Sequence, residues 1–305
     1  MNWTPYPITL RQLQYLVAVA EHGGFRRASQ ECHVAQPSLS AQIAQAEAAL
    51  GVRIFERDRR SVVLTRAGQT FVDRARDLLL AGEELIELAR SLSDPFGGTL
   101  RIGVIPTIAP YLLPEVAPIL RTRFGRLNFV WTEDKTEALM GLLSRGDVDA
   151  AILALEANIG DLPHMVLSRD PFVFAAAPSH PLAVRRRPIR AADLEGQQIL
   201  LLDDGHCFRS QVLAYCARAG ADEVGYRATS LQTLVQMVAA GGAVTLLPTL
   251  ALPVENRRHA LRVRPFASKA PFRTIVLAWR PGSALATTLR TIGDTLRSAY
   301  PQSKP

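Results

Sequence analysis

Cysteine and long apolar runs are both scarce in this sequence. It contains three cysteines among 305 residues, too few for the disulfide framework of a small secreted protein. We find no run of about 18 uncharged apolar residues, so the sequence predicts no membrane span. Residues 1–10 lack the charged-then-apolar order of a secretory signal. We therefore expect a cytoplasmic protein with reduced thiols and no membrane contact.

Histidines are few and scattered, and no spacing among the six suggests a metal site. No glycine-rich phosphate loop and no Ser/His/Asp order stands out, so we expect neither a metal nor a cofactor. What is present is typical of a globular chain, with 48% hydrophobic and 21% charged residues. The 35 basic residues exceed the 28 acidic ones, giving a net charge of +7, which fits a nucleic-acid partner without proving one.

Apolar spacing divides the chain into three regions. Over 8–62 it predicts three short helices, at 9–22, 25–32 and from Pro37 to residue 50, followed by a small hairpin or wing. The apolar pattern over residues 65–92 predicts one helix with a length of roughly 42 Å. Phe71, Leu78, Leu85 and Leu92 form a heptad stripe on it that needs a partner, so we interpret it as a dimerisation helix.

Strands and helices alternate after a hinge at 94–98. The order from 99 to 153 is strand, helix, strand, helix, strand, which favours a parallel sheet. A second set follows, with strands expected at 172–177, 198–202, 226–228 and 244–247 and helices at 206–219 and 231–240. A strand at 273–279 and a helix at 284–300 close the chain. We interpret residues 99–305 as two α/β lobes joined by crossing segments.

The third helix carries polar residues opposite its apolar face. Two helices with a three-residue turn between them and an outer face of this kind are typical of a helix-turn-helix. Gln42 and Gln45 have the amide groups that pair with adenine edges, and Ser38 and Ser40 suit contacts to bases or phosphates. Nearby arginines, which suit phosphate contacts, are Arg57, Arg59, Arg60 and Arg66. Periodicity alone leaves open an ordinary three-helix bundle with a solvated polar face.

Two of the cysteines lie close together late in the chain. Cys207 is expected at the start of the helix over 206–219, and the apolar face of that helix predicts that Cys216 is buried. The helix N-terminus, Arg209 and His206 are expected to lower the pKa of the Cys207 thiol, with two acidic residues of the preceding loop acting against them.

The spacing of these two cysteines conflicts with a disulfide inside one helix. Nine residues of helix span about 13.5 Å, whereas a disulfide joins Cα atoms about 4.4–6.8 Å apart. Either the thiols never pair, or pairing unwinds the helix and makes a redox switch. The residues alone also allow a plain alternative, in which Cys216 fills the core and Cys207 is a chance thiol. Cys32 is expected to be a small core residue.

A stretch of about 60 residues, from 10 to 68, resembles the winged helix-turn-helix of LysR-type transcriptional regulators. The motifs that carry the resemblance are LRQL at 10–13, GF at 24–25, RAS at 27–29, VAQPSLS at 34–40, LGV at 50–52, FER at 55–57 and LTRAG at 64–68. The resemblance implies a winged helix-turn-helix over 8–65, a linker or dimerisation helix over 66–94, a hinge over 95–98, and a two-lobed regulatory domain of periplasmic-binding-protein type over 99–305.

The family resemblance also implies partners and contact residues. It implies a homo-oligomer, a dimer of dimers, that binds promoter DNA in a sequence-specific manner and works with RNA polymerase. The DNA-binding residues expected from the pattern and the resemblance together are Ser29, Gln36, Pro37, Ser38, Ser40, Gln42, Gln45, Arg57, Arg59 and Arg60.

The later motifs resemble the peroxide-sensing OxyR subgroup of this family. They are IPT at 105–107, PYLLP at 110–114, GHC at 205–207 with Arg209 and Cys216, RATSL at 227–231, MVAAG at 237–241, TLLP at 245–248 and RPGS at 280–283. The resemblance implies that Cys207 attacks hydrogen peroxide and becomes a sulfenic acid, and that Cys216 resolves it to a disulfide. The residues implied to line the peroxide pocket are Thr107, Thr136, His206 and Arg273.

Plainer roles exist for the pocket residues: Thr107 and Thr136 as helix caps, Arg273 as a solvated strand end. One departure from the subgroup is Ser210, which stands where an acidic residue associated with proton handling is usual, and it puts the rate of sensing in doubt. Two other functions stay open. A small-molecule effector between the two lobes would replace peroxide as the trigger, and a thiol peroxidase would need the same two thiols. We expect no enzyme, because a peroxidase needs neither a helix-turn-helix nor a linker helix.

Overall fold

A computed structural model describes residues 5–57, 62–267 and 270–300 of the chain, with the backbone alone at 57, 87 and 90–93. The chain divides into two compact units, residues 1–89 and residues 90–305. The first unit is mainly helical, and the second combines helices with a nine-stranded sheet. The predicted fold class, an N-terminal helix-turn-helix followed by an α/β domain, is confirmed.

The N-terminal unit begins with three helices, α1 (Leu10–His22), α2 (Phe25–Glu31) and α3 (Gln36–Leu50). Thr9 caps α1, because its hydroxyl accepts a hydrogen bond from the backbone N–H of Gln12. α1 and α3 end at Gly23 and Gly51, whose φ angles of 64° and 65° lie in the left-handed region that glycine adopts at low cost. The core between the helices includes Leu16, Val19, Ala28, Leu39, Ile43 and Ala46.

A two-stranded antiparallel wing follows, made of β1 (Phe55–Arg57) and β2 (Val62–Leu64). The predicted cap Thr65 begins the next helix, α4 (Arg66–Ser93), since its hydroxyl accepts the backbone N–H of Gly68 at 2.8 Å. A Cβ at Gly68 would lie 2.1 Å from the carbonyl oxygen of Ile54. Glycine at this position therefore allows α4 to pack directly against the backbone of Ile54, just before β1.

The predicted heptad stripe of α4 is largely exposed. Phe71 is half-buried, whereas Leu78 and Leu85 are 51% and 67% exposed. The side chain of Leu92 lies outside the described residues. An apolar stripe exposed on a 28-residue helix is the pattern of a helix that pairs with another, and dimerisation stays a prediction.

The second unit is built on one sheet and seven α-helices in the described ranges. Its strands are β3 (Gly98–Val104), β4 (Leu127–Glu133), β5 (Ala150–Ala154), β6 (His164–Ala176), β7 (Gln198–Leu202), β8 (Asp222–Ala228), β9 (Val244–Pro248), β10 (Arg262–Arg264) and β11 (Phe272–Trp279). Its helices are α5 (Ala109–Arg123), α6 (Thr136–Arg145), α7 (Pro181–Val184), α8 (Cys207–Arg218), α9 (Leu231–Ala239), α10 (Leu252–Glu255) and α11 (Ala286–Ala299).

The strand order is β4-β3-β5-β11-β6-β9-β7-β8, with β10 beside β6. β3 pairs in parallel with β4 and β5, and β7 pairs in parallel with β8 and β9, as the βαβ order predicts. We call β3–β5 with α5 and α6 the first lobe, and β7–β10 with α7–α10 the second lobe.

Strand β6 joins the two lobes. Residues 164–171 pair antiparallel with β11, and residues 172–176 pair with β9. The sequence predicts a strand only from residue 172, because Asp170 and Pro171 are both rare inside strands. The long-range ladder with β11 outweighs that local preference, so the predicted start of this strand is wrong. The exchange of partners near Pro171 places Asp170 where the lobes meet.

Candidate functional site

The two cysteines predicted to act together lie on one helix. Cys207 is the first residue of α8, and Cys216 lies near its end. The loop before α8 turns at Gly205, with a φ of 85°. From the first lobe, Lys135 Nζ donates a hydrogen bond to the carbonyl oxygen of Asp204 in this loop, at 2.7 Å. The start of α8 is therefore held by a contact between the lobes.

The environment of Cys207 sets its thiol chemistry. The side chain is half-buried, and burial raises the pKa of the thiol. The charge of Arg273, the hydroxyl of Thr136 and the backbone N–H groups of Phe208 and Cys207 oppose that rise by favouring the thiolate. Burial outweighs them together. The prediction that the pKa of Cys207 is lowered is thus wrong, because the pKa is raised overall. The N–H groups at the helix N-terminus do lower it, as predicted.

The cations predicted to activate Cys207 are engaged elsewhere. Arg209 donates to both carboxylate oxygens of Glu223, at 2.8 and 3.0 Å, and to Asp204 at 2.9 Å. Burial lowers the pKa of His206, and the charge of Lys135 lowers it further, so the neutral imidazole is favoured near pH 7. The assignment of Arg209 and His206 as the activating cations is wrong, and Arg273 takes that place.

Arg273 is a buried cation fixed by three acceptors. It is 0% exposed. Its guanidinium donates to Asp170 Oδ2 at 2.9 Å, to Thr107 Oγ1 at 2.7 Å and to the carbonyl oxygen of Thr107 at 2.9 Å. Asp170 also accepts the backbone N–H of Leu250 at 3.0 Å. The structure therefore contradicts a solvated strand end at Arg273, and Thr107 holds the guanidinium instead of capping α5.

Two buried side chains, Gln211 and Tyr300, leave polar atoms without a hydrogen bond within the described part of the chain, and the buried hydroxyl of Thr136 has no partner there besides the sulfur of Cys207. Thr136 begins α6 and lies close enough to Cys207 to lower its pKa. Gln211 follows Cys207 by one turn of α8, on the same side of the helix. Buried polar groups of this kind are costly unless a small polar molecule satisfies them. The Thr136 hydroxyl beside the Cys207 thiol, with Gln211 one turn further along α8, suits a small polar molecule such as water or peroxide.

Cys216 is more deeply buried than Cys207 and lacks the polar partners that surround Cys207. It is 2% exposed, and burial raises the pKa of its thiol to about 12. Both thiols are free. Nine residues of continuous helix separate their Cα atoms by about 13.5 Å, far beyond the reach of about 4.4–6.8 Å for a disulfide. A bond between them therefore requires α8 to unwind.

A cleft of about 630 Å³ lies between the lobes. Of the residues predicted around the peroxide, Thr107 and His206 line it. Thr136 and Arg273 lie close enough to Cys207 to lower the pKa of its thiol. The hydrogen bond between Arg273 and Thr107 joins the two groups. The four predicted pocket residues thus fall in one neighbourhood, two facing the cleft and two acting on the thiol.

The predicted DNA-reading residues differ in exposure. On α3 the exposed ones are Gln36, Pro37, Ser38 and Gln45, and the half-buried ones are Ser40 and Gln42. Ser29 is 5% exposed and its hydroxyl donates to the carbonyl oxygen of Arg26 at 2.9 Å, so its side chain is turned into the unit. Arg59, Arg60 and the side chain of Arg57 lie outside the described residues.

Sequence reasoning missed three residues of the redox site. Nothing in the sequence around Asp170 or Lys135 indicates a role in this site, because each contacts a residue that is distant in the chain. Gln211 could have been found from the sequence, since a polar residue one turn after Cys207 faces the same side of a helix.

Within residues 5–57, 62–267 and 270–300, no group of three or more His, Cys, Asp or Glu side chains is placed to hold a metal ion. Over the same ranges, every helix is too short or too polar to cross a bilayer.

Comparison with known families gives two matches. Residues 10–69 match the family described as bacterial regulatory helix-turn-helix protein, lysR family. Residues 93–301 match the LysR substrate binding domain. Together the two matches cover nearly the whole chain.

Three known proteins are similar over most of this chain. The DNA-binding transcriptional dual regulator OxyR of Escherichia coli K12 is 43% identical over 292 residues, 95% of each chain. A full-length cysteine-to-aspartate variant of OxyR from Pseudomonas aeruginosa is 34% identical with a TM-score of 0.75, over 95% of this chain and 98% of that one. An H2O2-bound cysteine-to-serine mutant of OxyR from Corynebacterium glutamicum is 33% identical with a TM-score of 0.66, over 98% and 95%.

Proposed function

Because this chain belongs to the LysR family of bacterial transcription regulators, we propose that it senses hydrogen peroxide through Cys207 and Cys216 and changes its binding to promoter DNA in response. One observation carries the proposal. A half-buried thiol at the start of α8 lies beside a buried cation, and a second thiol lies on the same helix beyond disulfide reach. The similarity to an H2O2-bound OxyR supports the choice of oxidant.

The first step is oxidation of Cys207. Its thiolate attacks one oxygen of hydrogen peroxide, so that an S–O bond forms while the O–O bond breaks. The departing hydroxide takes up a proton and leaves as water, and Cys207 becomes a sulfenic acid. Arg273 and the hydroxyl of Thr136 stabilise the thiolate before attack. Thr107 and His206 face the cleft from which peroxide enters.

The second step joins the two sulfurs. Cys216 attacks the sulfur of the sulfenic acid, the S–S bond forms, the S–O bond breaks, and the oxygen leaves as water. The two steps convert two thiols and one hydrogen peroxide into one disulfide and two waters. In the intact helix Cys216 is held as a neutral thiol, because its pKa is about 12. Unwinding of α8 both closes the distance and returns this pKa toward about 8.5.

Oxidation then reaches the DNA through a change in the second lobe. Loss of the first turn of α8 disturbs the loop that Lys135 holds from the first lobe. We propose that an oligomer built on α4, a dimer of dimers on promoter DNA, carries this change to the winged helix-turn-helix units. The exposed leucines of α4, Leu78 and Leu85, support such pairing. RNA polymerase is the partner that we expect at the promoter, in the cytoplasm.

Peptide mapping before and after peroxide tests the proposal. The oxidised protein is expected to contain a peptide linked between Cys207 and Cys216, with two free thiols lost per chain and Cys32 still free. Footprints on promoter DNA should differ between the two redox forms. A Cys32→Ser variant serves as the control and should behave as the wild type. Free thiols at both positions after oxidation, or identical footprints, would overturn the proposal.

A second candidate trigger is an effector bound in the cleft between the lobes. The cleft is polar, and Tyr111 of the first lobe donates a hydrogen bond to Glu255 of the second at 2.8 Å. A ligand that bridges the lobes would change the orientation of one lobe relative to the other without any reaction at the cysteines. Thermal stabilisation by a compound from a metabolite library, together with a DNA-binding response retained in a Cys207→Ser variant, would favour this candidate.

We propose that the chain is a sensor and not a peroxidase. The two thiols account for one peroxide per chain, after which an outside reductant must restore them. Without reductant, consumption is expected to stop at about one equivalent of peroxide per chain. Sustained clearance of bulk peroxide with a thiol reductant would instead assign a peroxidase activity.

A further inference from the structure

We infer that Gln12, a buried residue of α1, sets the orientation of the side-chain amides by which α3 reads DNA. The inference rests on the proposed DNA-reading role of α3. Gln12 is 5% exposed and so presents little of itself to a ligand. Its Nε2 donates to Gln42 Oε1 at 3.1 Å and to Gln45 Oε1 at 3.5 Å. The nitrogen of this amide therefore faces both glutamines of α3 and donates to their oxygens.

The orientation of the Gln12 amide is fixed from the other side. The backbone N–H of Thr9 donates to Gln12 Oε1 at 2.9 Å, as part of the capping box that begins α1. A backbone N–H is only ever a donor. If the Gln12 amide were reversed, its NH2 group would face this N–H and two donors would oppose each other. The oxygen of Gln12 therefore faces Thr9, and the nitrogen must face α3.

This fixed donor determines how the next two amides point. Because Gln12 offers hydrogens, the atoms of Gln42 and Gln45 that face it are their oxygens. Their nitrogens then point away from α1. Among the described residues, neither of these nitrogens donates a hydrogen bond to another group. Gln45 is exposed and Gln42 is half-buried on the same side, so α3 presents two NH2 donors outward.

A glutamine that presents only its NH2 group outward favours a different base edge from a glutamine whose amide can rotate freely. Bidentate pairing with adenine uses both the nitrogen and the oxygen of the amide. In Gln42 and Gln45 the oxygen faces Gln12 on α1, and so it is turned away from a base that the outward nitrogen contacts. The major-groove edge of guanine offers two acceptors, N7 and O6. We therefore expect these two residues to favour guanine, which revises the adenine pairing expected from the sequence.

A Gln12→Glu variant tests this inference. Glutamate keeps an oxygen for the N–H of Thr9, so the capping box and the helix are retained. It replaces the NH2 group that faces α3 with a second oxygen. Gln42 and Gln45 should then turn their nitrogens inward and present oxygens, which accept from adenine N6 or cytosine N4. At the contacted positions, the affinity ratio of guanine to adenine or cytosine should fall by about tenfold.

The measurement starts with selection from a randomised DNA library by the reduced full-length protein. Binding of the selected site and of all its single-base variants is then compared between the wild type and Gln12→Glu. Gln14→Glu is the matched control, because it adds the same charge to an exposed position of the same helix. This control should weaken binding to all sites alike and leave the base preferences unchanged. The thermal midpoint of Gln14→Glu should match that of the wild type, and a cooperative thermal transition of Gln12→Glu, whose carboxylate is buried, shows that this variant is folded.

The outcomes separate the inference from the proposed function. If the wild type selects a defined site and Gln12→Glu keeps the same base preferences, the inference fails and the DNA-reading role of α3 stands. An adenine preference of the wild type at the positions contacted by Gln42 and Gln45 also overturns it. If the wild type selects no sequence, the proposed function fails and the inference fails with it. A base shift in Gln12→Glu but not in Gln14→Glu supports it.

Discussion

The two ends of α8 place the same side chain in different surroundings. Burial raises the thiol pKa at both Cys207 and Cys216. At Cys207 a guanidinium, a hydroxyl and two helix N–H groups oppose that rise, whereas at Cys216 burial is the one cause that acts. Cys207 therefore differs from Cys216 in its polar partners as well as in its greater exposure, and under the proposed function both differences favour reaction at Cys207.

The same difference orders the two chemical steps. In the proposed mechanism, Cys207 meets peroxide with its stabilising partners already in place, so the intact fold would support the first oxidation. Cys216 has no such partner and lies about 13.5 Å of helix away, so it reacts only after α8 opens. Under this proposal α8 separates sensing at Cys207 from the response at Cys216, and substitutions at either end test the two steps separately.

Removal of one sulfur at a time gives the largest expected effect. Cys207→Ser should abolish peroxide-dependent thiol loss and the change in DNA footprint. Cys216→Ser should still be oxidised at Cys207, but it should stop at a sulfenic acid that a sulfenic-acid-specific reagent traps. Mass spectrometry of the intact protein distinguishes the two results, with Cys32→Ser as the control. Trapping of a sulfenic acid at Cys216 in the Cys207→Ser variant would reverse our assignment of the two ends.

Loss of the buried cation should affect the Cys207 end alone. In Arg273→Met the thiolate loses its charged partner, and we expect the first oxidation to slow by about 100-fold, which corresponds to about 2.7 kcal/mol. The same change leaves Asp170 buried without its ion pair, so stability should fall by about 3–5 kcal/mol. Stopped-flow kinetics and denaturant unfolding measure the two effects.

The double variant Asp170→Asn/Arg273→Met provides the matched control. Removing both charges should restore most of the lost stability, because no unpaired charge stays buried. The oxidation rate should stay low, because the cation is still absent. If the rate recovers together with the stability, Arg273 supports only the fold and the comparison between the two ends loses its electrostatic basis.

These two residues also show how far sequence reasoning reaches. Local patterns located the long helices and most strands but missed the first half of β6 and all of β10. Motif resemblance singled out Cys207, Cys216 and Arg273, whose roles stay predictions. The pairing of Arg273 with Asp170 was not predictable, because 103 residues separate them. The net pKa of Cys207 was not predictable either, since the cost of burial depends on packing from several distant elements. Ser29 matched a motif, yet the fold turns its hydroxyl back into its own helix.

The hydroxyl at the Cys207 end has a smaller expected effect. Thr136→Val removes a group that lowers the pKa of Cys207 and changes the shape of the side chain little. The first oxidation should slow by about tenfold, since a hydrogen bond to a charged group contributes about 1.5 kcal/mol. Stability should be kept, because this hydroxyl has no other partner among the described residues. Thr122→Val, on the exposed side of α5, is the control, and equal rates in all three proteins would contradict the role of Thr136.

The pH dependence of the first step sharpens the same point. The thiolate is the reactive form, and burial raises the pKa of Cys207. At any pH below that pKa, less thiolate is present than for an ordinary cysteine. The oxidation rate of Cys216→Ser should therefore rise by about tenfold per pH unit between pH 6 and pH 8. A plateau below pH 7 would show a lowered pKa and contradict the dominance of burial.

The smallest expected effect concerns Ser210, which lies exposed in the first turn of α8, where the peroxide-sensing subgroup usually has an acidic residue. An acidic side chain there interacts favourably with the helix N-terminus, by about 0.5 kcal/mol at an exposed site. In Ser210→Asp we therefore expect an unchanged first oxidation, together with disulfide closure about two- to threefold slower because α8 opens less readily.

Ser210→Asn is the control for that variant, because it has the same shape without the charge. Quenched-flow mapping of the Cys207–Cys216 link measures the closure rate. High salt should erase the difference between the aspartate and asparagine variants, since an exposed charge is screened. Faster closure in Ser210→Asp would instead mean that the acid moves a proton during the reaction. In that case the Cys207 end would be limited by proton transfer, and not by the opening of the helix that separates it from Cys216.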